Sequence, residues 1–382
     1  MKKNTLLYLS FLICVCFYTP IFSAYFENVH KLNNSEIIFL FSVYTLSTFL
    51  FEIPTGFISD KIGENKALII ASLLTTISTF LFFLNGYIYF ILSQFIYGIA
   101  QTFLSGSFES YIFKYCREEK LNYDKFLSQS YSLQWTAICF SFFICYFISK
   151  ISLHFPFYLT FIFNILCVIY SLRLPTIKTT KINNISFKNV LFCFKDNFVL
   201  IYSCILGSLI SALLIVGYQL FQILFSVKFE NWTYNGLIYF VATLFAILSS
   251  SLYQKISNLI KSQKLFKYSL CITLSVIFIL LNIVHNFSAI VLLVCSYRFL
   301  WGIISPFFTS VINNNIKNDE YRNTIFSVNS LLTNIISFAI LYIFSFFNIT
   351  VSLQFLILGI VIFIISMILI FKGKNEHLKN RL

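Results

Sequence analysis

Three charged side chains of this sequence lie inside or at the end of long apolar runs. Glu52 closes one run, Glu109 lies near the end of another, and Arg298 lies deep within a third. A charge at the centre of a bilayer costs roughly 2.5–3.5 kcal/mol on insertion scales, so such a residue must face a cavity or a partner. A buried carboxyl group can take up and release a proton. A guanidinium can bind an anionic group or hold two helices together.

Glu109 also belongs to a set of small and polar residues that recur every three or four positions along one apolar run. At 100° per residue the set falls within roughly 80° of arc, so it forms one stripe on a helix. The stripe consists of Gln94, Gly98, Gln101, Ser105 and Glu109. Such a stripe is not expected to face lipid, which makes Glu109 the better candidate for a proton-carrying group. The alternative is that Glu109 pairs with cations of the following loop.

A second polar face lies near the C-terminus of the chain. It contains Asn323, Ser327, Ser330, Asn334 and Ser337. Side chains of this kind can line a central aqueous cavity, and they can also tie neighbouring helices together. Glu52, Gln94, Gln101, Glu109, Arg298 and Asn334 are therefore the candidates for a substrate or proton pathway.

A short charged segment between two apolar runs carries the most specific pattern. Gly56, Asp60, Lys61, Gly63 and Lys66 fit the pattern Gly-x-x-x-Asp-Arg/Lys-x-Gly-x-x-Arg/Lys. Pro54 is expected to break the helix that precedes this segment, and the two glycines are expected to let two backbones approach closely. The segment resembles the loop between helices 2 and 3 of the major facilitator superfamily.

Two further stretches resemble an efflux-rich branch of that superfamily. One is Glu52-x-Pro54-Thr55-Gly56, and the other is Arg322-Asn323-Thr324-Ile325-Phe326-Ser327. The resemblance implies that Asp60 approaches the positive N-terminus of helix 11, near Arg322, and latches the cytoplasmic side shut. Gln94 stands where many drug–proton antiporters of the superfamily have an arginine. The fifth predicted helix also lacks the Gly- and Pro-rich motif of those antiporters.

The composition indicates that the bilayer is the solvent of this chain. Of its 382 residues, 58% are hydrophobic and 11% are charged, and the mean hydropathy is +0.84. Such a chain must form helices that satisfy their own backbone, and at roughly 20 residues a span it accommodates about twelve. The net charge of +13 is spread between the apolar runs, so no nucleic-acid partner is expected. The ten cysteines form no Cys-x-x-Cys pair or Cys/His cluster, so neither a metal nor a cofactor is expected.

The apolar runs predict an all-α membrane protein with twelve transmembrane helices in two six-helix parallel repeats. The predicted spans are Asn4–Tyr25, Ser35–Thr55, Ala67–Leu84, Tyr87–Phe113, Leu127–Ser149, Phe155–Leu172, Asn197–Phe225, Tyr234–Tyr253, Leu265–Val284, Ser288–Asn313, Asn323–Phe347 and Val351–Phe371. The N-terminal half covers residues 1–174, a basic cytoplasmic linker covers 175–195, and the C-terminal half covers 196–382. Gln94–Ile99 and Arg298–Ile303 align as one echo between the halves, as parallel repeats predict.

The distribution of basic residues predicts the orientation. Of the 27 Lys and Arg residues, only Lys31, Lys150 and Lys228 fall on the side opposite the linker, and Arg298 falls within a span. The positive-inside rule then places both termini and the linker in the cytoplasm. We expect a multi-pass protein of a bacterial cytoplasmic (inner) membrane, acting as a monomer.

These observations favour a secondary active transporter that works by alternating access, and no Ser/His/Asp set or phosphate loop indicates an enzyme. The resemblance favours proton-coupled export (antiport) of a drug-like compound or a peptide antibiotic, conferring antibiotic resistance or self-immunity of the microcin type. The partners would be a small molecule or peptide, protons and lipid. The alternatives are an importer of a small nutrient or metabolite, and a membrane sensor or lipid-modifying protein.

Overall fold

The computed structural model describes residues 2–176, 198–228, 232–259, 263–316 and 322–379. These residues form thirteen α-helices and two short 3-10 helices, Thr19–Ile21 and Trp232–Tyr234. The α-helices are α1 (Lys2–Leu12), α2 (Phe22–Asn28), α3 (Asn34–Ile62), α4 (Glu64–Leu81), α5 (Tyr87–Glu118), α6 (Tyr123–Ser149), α7 (Phe155–Leu172), α8 (Phe198–Lys228), α9 (Asn235–Leu259), α10 (Gln263–Ile283), α11 (Phe287–Asn314), α12 (Arg322–Phe346) and α13 (Val351–Lys379).

Ten of these helices, α3 and α5 to α13, contain a stretch long and apolar enough to cross a membrane. Helices of this composition satisfy their backbone internally, as the hydrocarbon core requires. The prediction of an all-α, multi-pass membrane protein is therefore confirmed. Most of the predicted linker, from residue 177 on, lies outside the described residues.

The first predicted span, Asn4–Tyr25, is wrong as a single helix, because the chain is unwound between α1 and α2. Pro20 lies in the short 3-10 helix that precedes α2, and a proline has no N–H with which to continue a helix. Hydroxyl groups of α6 and α7 satisfy the freed backbone instead. Ser141 Oγ accepts from the Cys16 N–H at 3.2 Å, and Thr160 Oγ1 accepts from the Phe17 N–H at 3.0 Å.

The expectation that Pro54 ends the second span is also wrong. Helix α3 continues through Pro54 to Ile62, and the Thr55 hydroxyl donates to the Phe51 carbonyl at 2.7 Å. The proline removes only the backbone bond to the Leu50 carbonyl, and membrane helices tolerate such an interruption. The chain turns only at Gly63, whose φ of 91° and ψ of 147° suit glycine alone. Asp60 and Lys61 consequently lie in the last turn of α3 and not in a loop.

The N-terminal set of helices (α1–α7) and the C-terminal set (α8–α13) pack internally through helix pairs in equivalent positions. We count α1 and α2 as one helix, so that each set has six. In each set the second helix then packs against the fourth, the third packs against the fourth and the sixth, and the first packs against the fifth. The pairs are α3–α5, α4–α5, α4–α7 and α1–α6 in the first set, and α9–α11, α10–α11, α10–α13 and α8–α12 in the second.

The two sets meet mainly through the helix pairs α3–α12, α6–α9 and α2–α8. The α6–α9 contact is very close, since a Cβ built on Gly236 would lie 2.7 Å from the Tyr146 backbone nitrogen. A side chain at position 236 would therefore push the two helices apart.

The contacts between the sets concentrate at one end of the bundle. We call the end that carries Gly56–Lys66 the motif end and the other the opposite end. At the opposite end, Ser345 Oγ of α12 donates to the Ser35 carbonyl of α3 at 2.8 Å, and the rings of Tyr146 and Tyr234 lie 6.0 Å apart. Among the described residues, the polar contact between the sets that lies nearest the motif end is the approach of Ser330 to Glu52. The structure is therefore closed at the opposite end.

We predict that the hydroxyl of Thr160 stabilises the break in the first span. Thr160→Val leaves the Phe17 N–H buried without an acceptor, so the free energy of unfolding should fall by about 1–3 kcal/mol. Thr136→Val is the matched control, because the exposed Thr136 hydroxyl donates only within α6, to the Ser132 carbonyl. Unfolding of both variants in mixed micelles measures the difference, and an equal loss for the two would contradict this role of Thr160.

Candidate functional site

Arg298 lies on α11 with only 9% of its surface exposed. Its guanidinium carbon lies 4.8 Å from the centre of the Tyr218 ring on α8 and 5.0 Å from the Trp301 ring on its own helix. The two rings stand perpendicular with their centres 5.7 Å apart. Aromatic faces stabilise a cation in this position. The sequence predicted the burial of Arg298 but not its aromatic partners.

The predicted stripe on α5 divides among three environments. Gln94 is buried, with 6% of its surface exposed, and Gln101 lines a pocket inside the N-terminal set, with Leu9, Thr75 and Asn164. Glu109 is exposed and accepts a hydrogen bond from the Tyr131 hydroxyl of α6. Along the uninterrupted α5 the stripe therefore passes from buried surroundings at Gln94 to exposed ones at Glu109.

The motif-end parts of α5 and α6 nevertheless present polar groups to an open space. Ser105, Glu109 and Ser132 are exposed, as is the Trp135 indole. A carboxylate and hydroxyls on lipid-facing positions would be costly in a membrane, so these groups indicate a polar opening at the motif end. In the described part of the chain, Glu109 forms no ion pair, so the alternative of pairing with loop cations gains no support there.

Glu52 approaches the C-terminal set of helices, whereas the described hydrogen bonds of Asn334 stay within α12. Helix α3 packs against α12, and the hydroxyl of Ser330 on α12 lies close to the Glu52 carboxyl group. Asn334 Nδ2 donates to the Ser330 carbonyl at 3.1 Å. Glu52 is thus positioned at the interface between the two sets of helices.

The residues of the motif occupy different environments. Asp60, Lys61 and Lys66 are exposed. An added Cβ at Gly56 would meet no described atom within 4 Å, so the close approach expected there is not found. Gly63 forms the turn between α3 and α4, and it can do so because of its positive φ. Arg322 begins α12, and its side chain lies outside the described part of the structure, so the latch between Asp60 and helix 11 stays a prediction.

Sequence reasoning missed the buried charge of this region, which is Glu64. Its carboxylate forms an ion pair with Lys114 of α5 and accepts from the Ser110 hydroxyl at 3.1 Å. The side chain of Glu64 is 8% exposed and that of Lys114 is 16% exposed. The pair therefore fixes the start of α4 to α5 directly beside the Gly63 turn. The signal in the sequence that could have pointed to Glu64 is its position as an acidic residue within a motif of basic residues.

Histidine and aromatic side chains pack together at the opposite end. The Tyr25 hydroxyl lies 3.4 Å from His154 Nδ1, and the His30 ring lies 4.6 Å from the Phe90 ring. Burial, and to a lesser extent the neighbouring His154, lowers the pKa of His30. The aromatic surroundings of His30 therefore disfavour its charged form.

We predict that the Glu64–Lys114 pair stabilises the motif end. Glu64→Gln or Lys114→Met leaves a largely buried charge without its partner. The free energy of unfolding should therefore fall by an amount at the lower end of ~3–5 kcal/mol. The exchange Glu64→Lys with Lys114→Glu should restore much of the loss because the pair re-forms. The free energy of unfolding measures this, with Arg117→Met, an exposed cation of α5, as the control. Single and exchanged variants of equal stability would contradict the role of the pair.

Comparison with known proteins agrees with this architecture. A solved structure of the nucleoside transporter NupG superposes with a TM-score of 0.76 at 14% identity, over 97% of this chain and 99% of that one. A D-xylose-proton symporter gives 0.71 at 13% identity, over 96% and 95%. A POT family transporter gives 0.72 at 15% identity, over 97% and 96%. At these identities the likeness shows the fold alone.

In sequence, no curated protein matches the chain. The family model described as Major Facilitator Superfamily matches residues 5–341, which is most of the chain. The chain belongs to the Major Facilitator Superfamily.

Proposed function

We propose that this chain is a secondary active transporter that exports a drug-like compound or a peptide antibiotic by alternating access. The observation that carries the proposal is the uneven contact between the two sets of helices. They are joined by Ser35–Ser345 and Tyr146–Tyr234 at the opposite end, whereas polar groups are exposed toward the motif end. A bundle that is closed at one end and open at the other matches one state of such a cycle.

Family membership implies a transporter rather than an enzyme, and the finer architecture follows from the packing. We infer two parallel six-helix repeats, residues 1–174 and 196–382, joined by the linker 175–195. The equivalent helix pairs within each set support this inference. The broken α1–α2 segment would then act as the first of twelve membrane-spanning elements.

The orientation proposed from the basic residues makes the motif end cytoplasmic. The described structure would then be the inward-open state of a protein in the cytoplasmic membrane, with both termini inside. A substrate from the cytoplasm could enter from the motif end. The latch predicted between Asp60 and the start of α12 would close this end in the other state.

Export is favoured over import by the Glu52-x-Pro54-Thr55-Gly56 resemblance. Proton coupling needs a carboxyl group that is exposed in one state and covered in the other. Glu109 meets the first condition, because it is exposed and bonded only to the Tyr131 hydroxyl among the described residues. Movement of α5 relative to α6 would change that bond and the access of water to the carboxyl group.

The experiment begins with a susceptibility screen of drug-like compounds and peptide antibiotics, in cells with and without the gene. Efflux of a compound that scores in the screen is then measured with the proton gradient intact and collapsed. We expect collapse to stop efflux, and Glu109→Gln to reduce it roughly tenfold or more, as general acid–base groups do when neutralised. Glu118→Gln, an exposed carboxylate at the end of the same helix, is the matched control.

Three outcomes would contradict parts of the proposal. Net uptake of the compound would contradict export. Efflux that survives collapse of the gradient would contradict proton coupling. Efflux by Glu109→Gln equal to that of Glu118→Gln would place the proton-carrying group elsewhere.

A further inference from the structure

Arg298 differs from two partly buried lysines of the described chain, Lys114 and Lys228. Lys114 has the carboxylate of Glu64. Lys228 donates to the backbone carbonyls of Leu281 and Val284 at 2.8 and 2.6 Å, at the end of α10. Each of these cations is satisfied by an acceptor of the protein itself.

Arg298 has no such acceptor among the described residues. No described carboxylate lies within 4.0 Å of its guanidinium, and its contacts are the faces of the Tyr218 and Trp301 rings. Ring faces stabilise the positive charge but do not accept the in-plane N–H bonds of the guanidinium fork. Arg298 is only 9% exposed. Its guanidinium therefore has hydrogen-bond donors whose acceptor must come from outside the protein.

The position of Arg298 indicates where that group comes from. The Tyr218 ring beside Arg298 lies 5.3 Å from the Tyr239 ring on α9, and the Tyr239 ring lies 5.8 Å from the Phe142 ring on α6 of the N-terminal set. Arg298 therefore faces the interface between the two sets, where the proposed function places the transport pathway. The two perpendicular rings beside it offer flat apolar surfaces to the body of a bound molecule.

We propose that Arg298 binds the carboxylate of an organic-anion substrate, with Tyr218 and Trp301 packing against the apolar body of that substrate. The proposal rests on the proposed function, because it names the class of molecule that passes through the pathway. A planar carboxylate matches the guanidinium fork through two parallel N–H···O bonds. A free peptide C-terminus and a small aromatic acid share this chemistry.

The test uses Trp301 as the reporter. The chain has three tryptophans, so Trp135→Phe and Trp232→Phe leave Trp301 alone against the guanidinium. The purified full-length protein is titrated with benzoate, with its neutral analogue benzamide, with inorganic phosphate and with chloride. A hydrophobic tripeptide is added with its C-terminus free or amidated. Saturable changes in Trp301 fluorescence report binding.

We expect benzoate, the free tripeptide or both to bind, and benzamide and the amidated tripeptide not to compete. Arg298→Gln should weaken binding roughly tenfold or more, and Arg298→Lys should weaken it less, because it keeps the charge but not the fork. Lys150→Gln is the matched control, since the exposed Lys150 also lies over an aromatic ring, that of Tyr146 at 3.9 Å, but at the opposite end. If Arg298→Gln does not fold, the comparison of Arg298→Lys with the parent carries the test.

Equal binding of benzoate and benzamide, binding unchanged by Arg298→Lys and Arg298→Gln, or a response to phosphate or chloride only would each overturn the proposal. No saturable response to any carboxylate would do the same. If benzoate binds more tightly than the tripeptide, the natural anion is a small acid. If the tripeptide binds more tightly, the natural anion is a peptide C-terminus. Because the assay measures binding without transport, its failure is distinguishable from failure of export or of proton coupling.

Discussion

The hydrocarbon core of a membrane offers no water to peptide groups, so every N–H and C=O must find a partner within the protein. Long helices meet this requirement along most of the chain. It is hardest to meet where a helix is interrupted, and there the structure uses hydroxyl side chains. Ser141 and Thr160 accept from the unwound backbone at Cys16 and Phe17. The break between α1 and α2 thus depends on α6 and α7, which ties the first span to the packing of the whole N-terminal set.

Charged groups obey the same constraint more strictly, and this separates structural from functional charges. Glu64 and Lys114 satisfy each other beside the Gly63 turn, and Lys228 is satisfied by carbonyls at the end of α10. Glu109 and Arg298 are different. Glu109 has only the Tyr131 hydroxyl among the described residues, and Arg298 has only ring faces. Our proposals assign proton exchange and ligand binding to these two incompletely satisfied groups.

The sequence predicts the class of fold because the length of each apolar run can be read from consecutive residues. The ends of α7 and the extent of most later helices follow from it closely. The break after Leu12 could not be predicted, since the hydroxyls that permit it lie 125 and 143 positions away along the chain. The prediction that Pro54 ends its helix was wrong because a proline removes only one backbone bond, and a membrane helix can continue past it. Arg298 and Glu52 were identifiable from their charge alone, whereas the rings around Arg298 and the position of Ser330 depend on how helices from distant parts of the chain pack. Glu64 was overlooked because its partner, Lys114, lies one helix further on.

Alternating access requires that the closed opposite end opens during transport. Ser35 and Ser345 touch across the two sets at that end, with a hydrogen bond of 2.8 Å. Cysteines placed at both positions (Ser35→Cys with Ser345→Cys) can be joined by mild oxidation, with the two single variants and the parent, which carries ten native cysteines, treated alike. If this end must open, cross-linking stops transport and reduction restores it, while the controls keep their activity. Transport by the cross-linked protein at the rate of the reduced protein would show that this end need not open.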